Sequence, residues 1–270
     1  MRALKTISMA LLMAAAGFAQ PASTPAMERG KKIVDEALAA LGGEKYLRMM
    51  DRTVTGRAYS FFRERLSGLS IAKIHTRYLT RPEPPTMEFF GMRERQILGK
   101  KQEVSILFTE TDSYEVNFRG ATQLPEDRVK SYREAARRSI LYILRQRLGE
   151  KGLFFDHKSS EIFENVPVEV VDVVDADNVV ITVYFSKLAK WPVRQVYYNR
   201  DPLTKEKIDE VTRFNKYRDV SGVQWPFQIV RERNGEKVSE IFAESVTINN
   251  GLTDNLFTLP ANVKILKKGK

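Results

Sequence analysis

Residues 208–249 read IDEVTRFNKYRDVSGVQWPFQIVRERNGEKVSEIFAESVTIN, and this stretch decides the fold. Three runs rich in β-branched and aromatic residues, 208–217, 225–234 and 237–249, are separated by two short turn signals. In the first, Val220-Ser221-Gly222, the glycine permits a tight reversal. The second, Asn234-Gly235, is the strongest hairpin signal in the chain, because both residues tolerate the positive φ of a two-residue turn. Strands joined by links this short pair antiparallel.

The same pattern extends outward. Upstream lie VPVEVVDVVD (166–175), NVVITVYFS (178–186) and PVRQVYYN (192–199), with turns at 175–178 and 199–202. Further upstream, residues 53–62, 69–79, 86–98, 104–110 and 113–120 repeat it, punctuated by Ser67-Gly68, Pro82 to Pro85 and Gly99-Lys100. About eleven strands result. No Pro-, Gly- or Ser-rich linker divides them, so residues 27–263 are expected to form one domain, followed by a basic, disordered tail at 264–270.

Two segments carry the helical period instead. In KKIVDEALAALGG (31–43), Ile33, Val34, Ala37, Leu38 and Leu41 fall on one face, and Gly42-Gly43 supplies the stop. Residues 125–148 predict one long helix with Pro125 at its start, acidic Glu126 and Asp127 in its first turn and Gly149 at its end. Its apolar face is Val129, Tyr132, Ala136, Ile140, Ile143 and Leu144. Lys130, Arg133, Arg137, Arg138, Arg145 and Arg147 populate the remainder. The fold class is therefore α+β, an antiparallel sheet with a few helices.

The first nineteen residues, MRALKTISMALLMAAAGFA, combine Arg2 and Lys5, an apolar core over 7–16 and small residues at 17 and 19 before Gln20. That is the pattern of a secretory signal peptide, and its apolar core is too short to span a bilayer. Residues 1–19 are read as the signal peptide and 20–26 as a flexible leader, placing the mature protein in the periplasm, soluble and monomeric. Cysteine is absent, which excludes disulfides, a thiol nucleophile, a thiolate metal site and a lipid-modified cysteine. The formal charge is +10, and losing Arg2 and Lys5 leaves +8. Such an excess favours anionic surfaces, and in this compartment those are membrane headgroups or acidic envelope polymers. The basic residues are scattered and no nucleic-acid motif accompanies them, so a nucleic-acid partner is not expected.

Catalytic signals are missing. His75 and His157 are the only histidines and neither has metal-ligand spacing. No nucleophile elbow, phosphate loop, dinucleotide fingerprint or calcium loop occurs, and Asp172, Asp175 and Asp177 read as a solvated turn. Neither an enzyme, a cofactor nor a metal is expected. What is abundant is apolar surface. In 178–186, Val179, Ile181, Val183 and Phe185 share one face while Val180 and Tyr184 occupy the other. In 192–199, Val193 and Tyr197 oppose Val196 and Tyr198. A sheet apolar on both faces needs two covers, and two helices cover one side only partly. Either these side chains fill a closed core or they leave an apolar cavity.

The two ends of the chain resemble the periplasmic lipoprotein-carrier family, the LolA/LolB-like or outer-membrane lipoprotein-sorting proteins. The resemblance rests on Arg213-Phe214-Asn215-Lys216-Tyr217, on Asp219 to Gly222 with Val223, on Trp225-Pro226, and on the ending Asn249, Leu252, Phe257 and Pro260. At the start it rests on Ala39-Ala40-Leu41-Gly42-Gly43 followed by Thr55-Gly56. It implies a strongly curved half-barrel with helices across its open concave side and an apolar cavity that holds acyl chains. It also implies an early-strand arginine that holds the lid helices closed, for which Arg57 is nearest in position. The expected cavity lining is Phe89, Leu141, Phe185, Tyr197 and Phe227. The leading functional expectation is a periplasmic carrier for lipids or acylated lipoprotein cargo, whose basic helix approaches an anionic membrane. The alternative is an envelope sensor or scaffold that binds a protein partner through the same half-barrel.

Overall fold

The computed structural model describes residues 23–266 except 87, 102 and 202. The signal peptide, the start of the leader and the last four residues lie outside the described residues. Helix α1 (Pro25–Leu41) begins earlier than its apolar pattern, because the Thr24 hydroxyl caps the Met27 amide and Pro25 sits in the first turn. Gly42, at φ 123°, ends it by returning its amide to Ala39. A short α2 (Glu44–Leu47) follows.

Fourteen strands form one sheet. In the N-terminal half these are β1 (Asp51–Phe62), β2 (Arg65–Tyr78), β3 (Met92–Leu98), β4 (Val104–Phe108), β5 (Ser113–Asn117) and β6 (Gly120–Gln123). In the C-terminal half they are β7 (Phe154–Phe163), β8 (Val166–Val174), β9 (Val180–Ser186), β10 (Pro192–Arg200), β11 (Lys207–Val220), β12 (Val223–Arg233), β13 (Glu236–Ile248) and β14 (Ile265–Leu266). The spatial order is β14-β6-β5-β4-β3-β2-β1-β13-β12-β11-β10-β9-β8-β7. Each half is a meander, and β1 pairs with β13 to join them. Every pairing is antiparallel except β14 on β6. The sheet is unclosed, with β7 and β14 as its edges.

The count exceeds the expected eleven by β6, β7 and β14. β6 is four residues long, β7 is an edge strand with a largely polar exposed face, and β14 is two residues. The expected disordered tail therefore starts as a strand, held by the Ala121 amide on the Lys264 carbonyl.

The long predicted helix is not continuous. Its first part is α3 (Glu126–Arg137), with Pro125 as the N-cap. Ser139 is extended, at φ −70° and ψ 125°. The chain then re-enters helix as α4 (Ile140–Tyr142) and a π-helical turn (Ile143–Arg147). Residues 140–147 are all buried, Arg145, Gln146 and Arg147 included. Two of the six basic residues outside the predicted apolar face, Arg145 and Arg147, are thus inside the protein.

Residues 140–147 also establish the curvature. The Ile140 amide donates to Gln195 Oε1 on β10 at 2.9 Å, and the Tyr142 hydroxyl donates to the Phe90 carbonyl just before β3. β3 and β10 are six strands apart in the sheet, roughly 29 Å if it were flat at ~4.8 Å per strand. Three residues of helix bridge that gap, so the sheet wraps around them. One hydrophobic cluster unites Val34, Ala37 and Leu41 of α1, Tyr46, residues 140–144, Val54, Met92, Val171, Val183, Phe185, Phe214 and Trp225.

Glycine permits two close approaches. A Cβ at Gly30 would collide with the Phe155 carbonyl, which fixes how near α1 lies to β7. Gly42 lies against the Gly222 carbonyl, so the Ala39–Gly43 and Asp219–Gly222 motifs from opposite ends of the chain touch. Beside α1, Glu169 gathers Arg29, Lys187, His157 and Ser160. Burial opposes its charge, but Ser160, His157 and Lys187 outweigh it and hold the carboxyl down at about 2.

Candidate functional site

A cavity of about 460 Å³ lies between β1–β3, β10–β13 and the C-terminal end of α3. Strand alternation builds it. Arg52 and Val54 of β1, Ile74 and Tyr78 of β2, and Met92, Glu94 and Gln96 of β3 point into it. So do Tyr197 of β10, Phe214 of β11, Trp225, Phe227 and Ile229 of β12, and Ile241 and Ala243 of β13. Its size falls within the roughly 300–1,000 Å³ of small-molecule sites.

The floor is apolar but one end is polar. The Arg52 guanidinium lies over the Trp225 ring at 4.0 Å. Its Nη1 donates to Tyr78 Oη at 3.3 Å and its Nη2 to Thr76 Oγ1 at 2.9 Å. Thr76 Oγ1 donates onward to Glu94 Oε2 at 3.2 Å, and Gln96 Nε2 donates to Glu94 Oε1 at 2.6 Å. At the opposite end Arg138 covers the Tyr197 ring at 4.2 Å and faces Glu134 and Glu210, each at 3.7 Å.

Tyr132 enters from α3. Its ring stacks on Phe108 at 3.6 Å and meets Phe90 edge-on at 6.1 Å. Its hydroxyl is buried beside the Glu94 carboxylate, without a well-formed hydrogen bond. Burial, followed by the nearby Glu94 charge, raises its pKa well above the ordinary phenol value, so it stays protonated.

α3 itself is loosely seated. None of its residues is fully buried, and a second cavity of about 380 Å³ lies on its other flank, lined by Thr111, Gln123, Arg133 and Arg137. The neighbouring residues 140–147 are fixed by contrast. The Tyr46 hydroxyl donates to the Leu141 carbonyl at 2.6 Å. Arg145 donates twice to the Met49 carbonyl, at 2.9 and 3.1 Å. Gln146 donates to the Gly91 carbonyl, and Arg147 pairs with Glu150 at 2.7 Å and Asp175 at 3.1 Å. Asp175 also caps the amides of Asp177 and Val179, so it is a buried anchor rather than part of a solvated turn.

Leu141, Tyr197 and Phe227 line the cavity. Phe89 and Phe185 do not. Phe89 is half-buried in the β2–β3 connection, and its neighbour Phe90 takes the inward position. Phe185 is 1% exposed, within filled core that includes α1 residues, so Phe185→Asp would unfold the chain rather than empty a cavity. Arg57 is corrected as well. Its side chain is 56% exposed and pairs across the sheet with Glu244 at 3.0 Å. A bulge at Thr55/Gly56, where the Phe242 carbonyl packs against Gly56, resets the register before it. The early-strand arginine inside the cavity is Arg52, and Arg145 ties residues 140–147 to the link before β1 through the Met49 carbonyl.

The histidines lie elsewhere. His75 bonds Thr53 at 2.9 Å on the other face, and His157 bonds Glu169 at 2.7 Å. That face is crossed by the C-terminal segment, whose Leu252 and Leu256 carbonyls receive Arg77 and Arg95 and whose Phe257 is buried. Among the described residues no helix is long and apolar enough to cross a membrane.

No family model matches the chain, and no curated protein matches it by sequence. Solved structures do match in fold. An outer membrane lipoprotein-sorting protein domain from Vibrio parahaemolyticus superposes with a TM-score of 0.56 at 14% identity, covering 86% of this chain and 97% of that one. A DUF1329 family protein from Desulfovibrio piger gives 0.58 at 11% identity, covering 85% and 97%. A LolA superfamily protein from Nitrosomonas europaea gives 0.50 at 11% identity, also covering 85% and 97%. The fold is therefore of the LolA-like kind, a large, unclosed, strongly curved antiparallel sheet.

Proposed function

We propose that the protein is a periplasmic carrier or binding protein for a lipid or an acylated lipoprotein, held as an acyl chain in the cavity beneath α3. The observation that carries this reading is the seating of α3, which has voids on both flanks and no fully buried residue. It can lift about Leu124-Pro125 and Ser139 while residues 140–147 stay in place. Burial of the chain drives binding at about 0.8 kcal/mol per CH₂. The cavity volume suits one chain at a time rather than several. Export follows from the signal-peptide pattern of residues 1–19. The fold's kinship with a lipoprotein-sorting domain agrees with such cargo, although fold alone does not assign it.

Native mass spectrometry of protein purified from the periplasm without detergent, with organic extraction of bound material, tests the proposal. A bound mass matching a lipid or acylated peptide is the expected result. A clean mass that persists after incubation with envelope lipids would overturn it.

A further inference from the structure

The polar end of the cavity is built unlike the rest. Arg52 and Arg145 flank Tyr78, one hydrogen-bonded to its hydroxyl and the other over its ring at 5.2 Å. All their hydrogen-bond acceptors are neutral: Tyr78, Thr76, the Met49 carbonyl and Gln146. Neither guanidinium has a carboxylate within ion-pair distance among the described residues. Glu94 is the carboxylate lining this end beside Arg52, and the two meet only through Thr76, with both Glu94 oxygens engaged by Thr76 and Gln96.

Two donors here are also unused. Arg52 Nε and the Tyr132 hydroxyl are both buried and without a well-formed hydrogen bond, and both residues line the cavity. One sits on the rigid sheet and the other on the loosely seated α3. Buried donors without acceptors are rare in folded proteins, and two facing one cavity call for an acceptor. Around them lie the hydrophobic walls of Val54, Trp225 and Phe227.

We infer that the cavity is specific for a single-chain amphiphile with an anionic head, a long-chain carboxylate, whose head is held by Arg52 Nε–H and the Tyr132 hydroxyl while its chain lies along the apolar walls. The inference rests on the carrier reading above and adds the class of ligand. Binding then couples to the cover, because Tyr132 reaches the carboxylate only with α3 down. A neutral head such as an alcohol can accept one hydrogen bond from these donors but brings no charge to strengthen it.

The test compares hexadecanoate, hexadecanol and acetate binding to the delipidated protein by calorimetry. Hexadecanoate is expected to bind roughly tenfold to a hundredfold tighter than hexadecanol, the range for hydrogen bonds to a charged group. Acetate should not compete, since it lacks the chain. Tyr132→Phe removes only a hydroxyl that the free protein leaves without a well-formed hydrogen bond, so the fold should survive it. It should cut the acid-over-alcohol ratio several-fold, because it weakens hexadecanoate more than hexadecanol, and Arg52→Gln should cut it further. Equal binding of acid and alcohol, or a ratio unchanged in both variants, would overturn the inference and leave the carrier reading standing. Acetate displacing hexadecanoate would reassign the end as a free-anion site. No binding of either chain would overturn both readings.

Discussion

Residues 126–137 and 140–147 are adjacent in sequence and alike in composition, each mixing apolar side chains with arginines, yet they are opposite in state. The first packs through Val129, Tyr132 and Ala136 and buries no residue completely. The second buries all of its residues and spends its polar groups on the Gln195 and Asp175 side chains in the C-terminal half and on the carbonyls of Met49, Phe90 and Gly91 in the N-terminal half. A basic residue in a helix is thus no guide to a solvated face. Here Arg145 and Arg147 are internal fasteners, and Lys130 is the surface charge they resemble in sequence.

Removing a fastener should give the largest contrast. Arg147→Met strands Glu150 and Asp175, whose side chains are 1% and 9% exposed, and should cost about 3–5 kcal/mol in urea unfolding. Next comes the apolar contrast. Leu144→Ala, in a site with no exposure, should cost about 2–5 kcal/mol, and the half-buried Val129→Ala about 1 kcal/mol or less. Comparable losses in the two variants would break the comparison.

A pH titration separates the sheet from the helices it carries. Burial, and then repulsion from Lys73 and Arg95, lowers the His75 pKa to about 4. The unfolded chain binds this proton near 6.5, so stability should fall as pH drops from about 6.5 to 4 and level off below. The ceiling is about 3 kcal/mol, and His75→Asn should flatten that part of the curve equally in wild-type and Val129→Ala backgrounds. Smaller still, Tyr132→Phe should raise the stability of the ligand-free protein by about 1 kcal/mol, because it deletes a buried hydroxyl without a well-formed hydrogen bond. Smallest is Lys130→Met, on the most exposed side of α3, which should stay within about 0.5 kcal/mol.

Much of the sheet was legible because its strands alternate and its turns use residues that accept positive φ, such as Gly222 and Asn234-Gly235. β6, β7 and β14 escaped notice because a four-residue strand, a polar edge and a two-residue parallel pair carry little periodic signal. The break at Ser139 escaped because the apolar spacing runs through it with no Gly or Pro. The contiguous run Ile140-Leu141-Tyr142-Ile143-Leu144, apolar on every side, was the available sign of a buried segment. At the site, Leu141, Tyr197 and Phe227 are positions that the carrier resemblance brings forward, whereas Arg52 is not. A charged residue at the start of a strand looks like surface until the curvature folds it over Trp225.

The most direct test of the account is hydrogen–deuterium exchange of the delipidated protein with and without hexadecanoate, read separately over 126–137 and 140–147. The account predicts fast exchange in the first region and slow exchange in the second, with hexadecanoate protecting the first alone. Equal protection of the two regions in the free protein, or no change over 126–137 under saturating ligand, would contradict it.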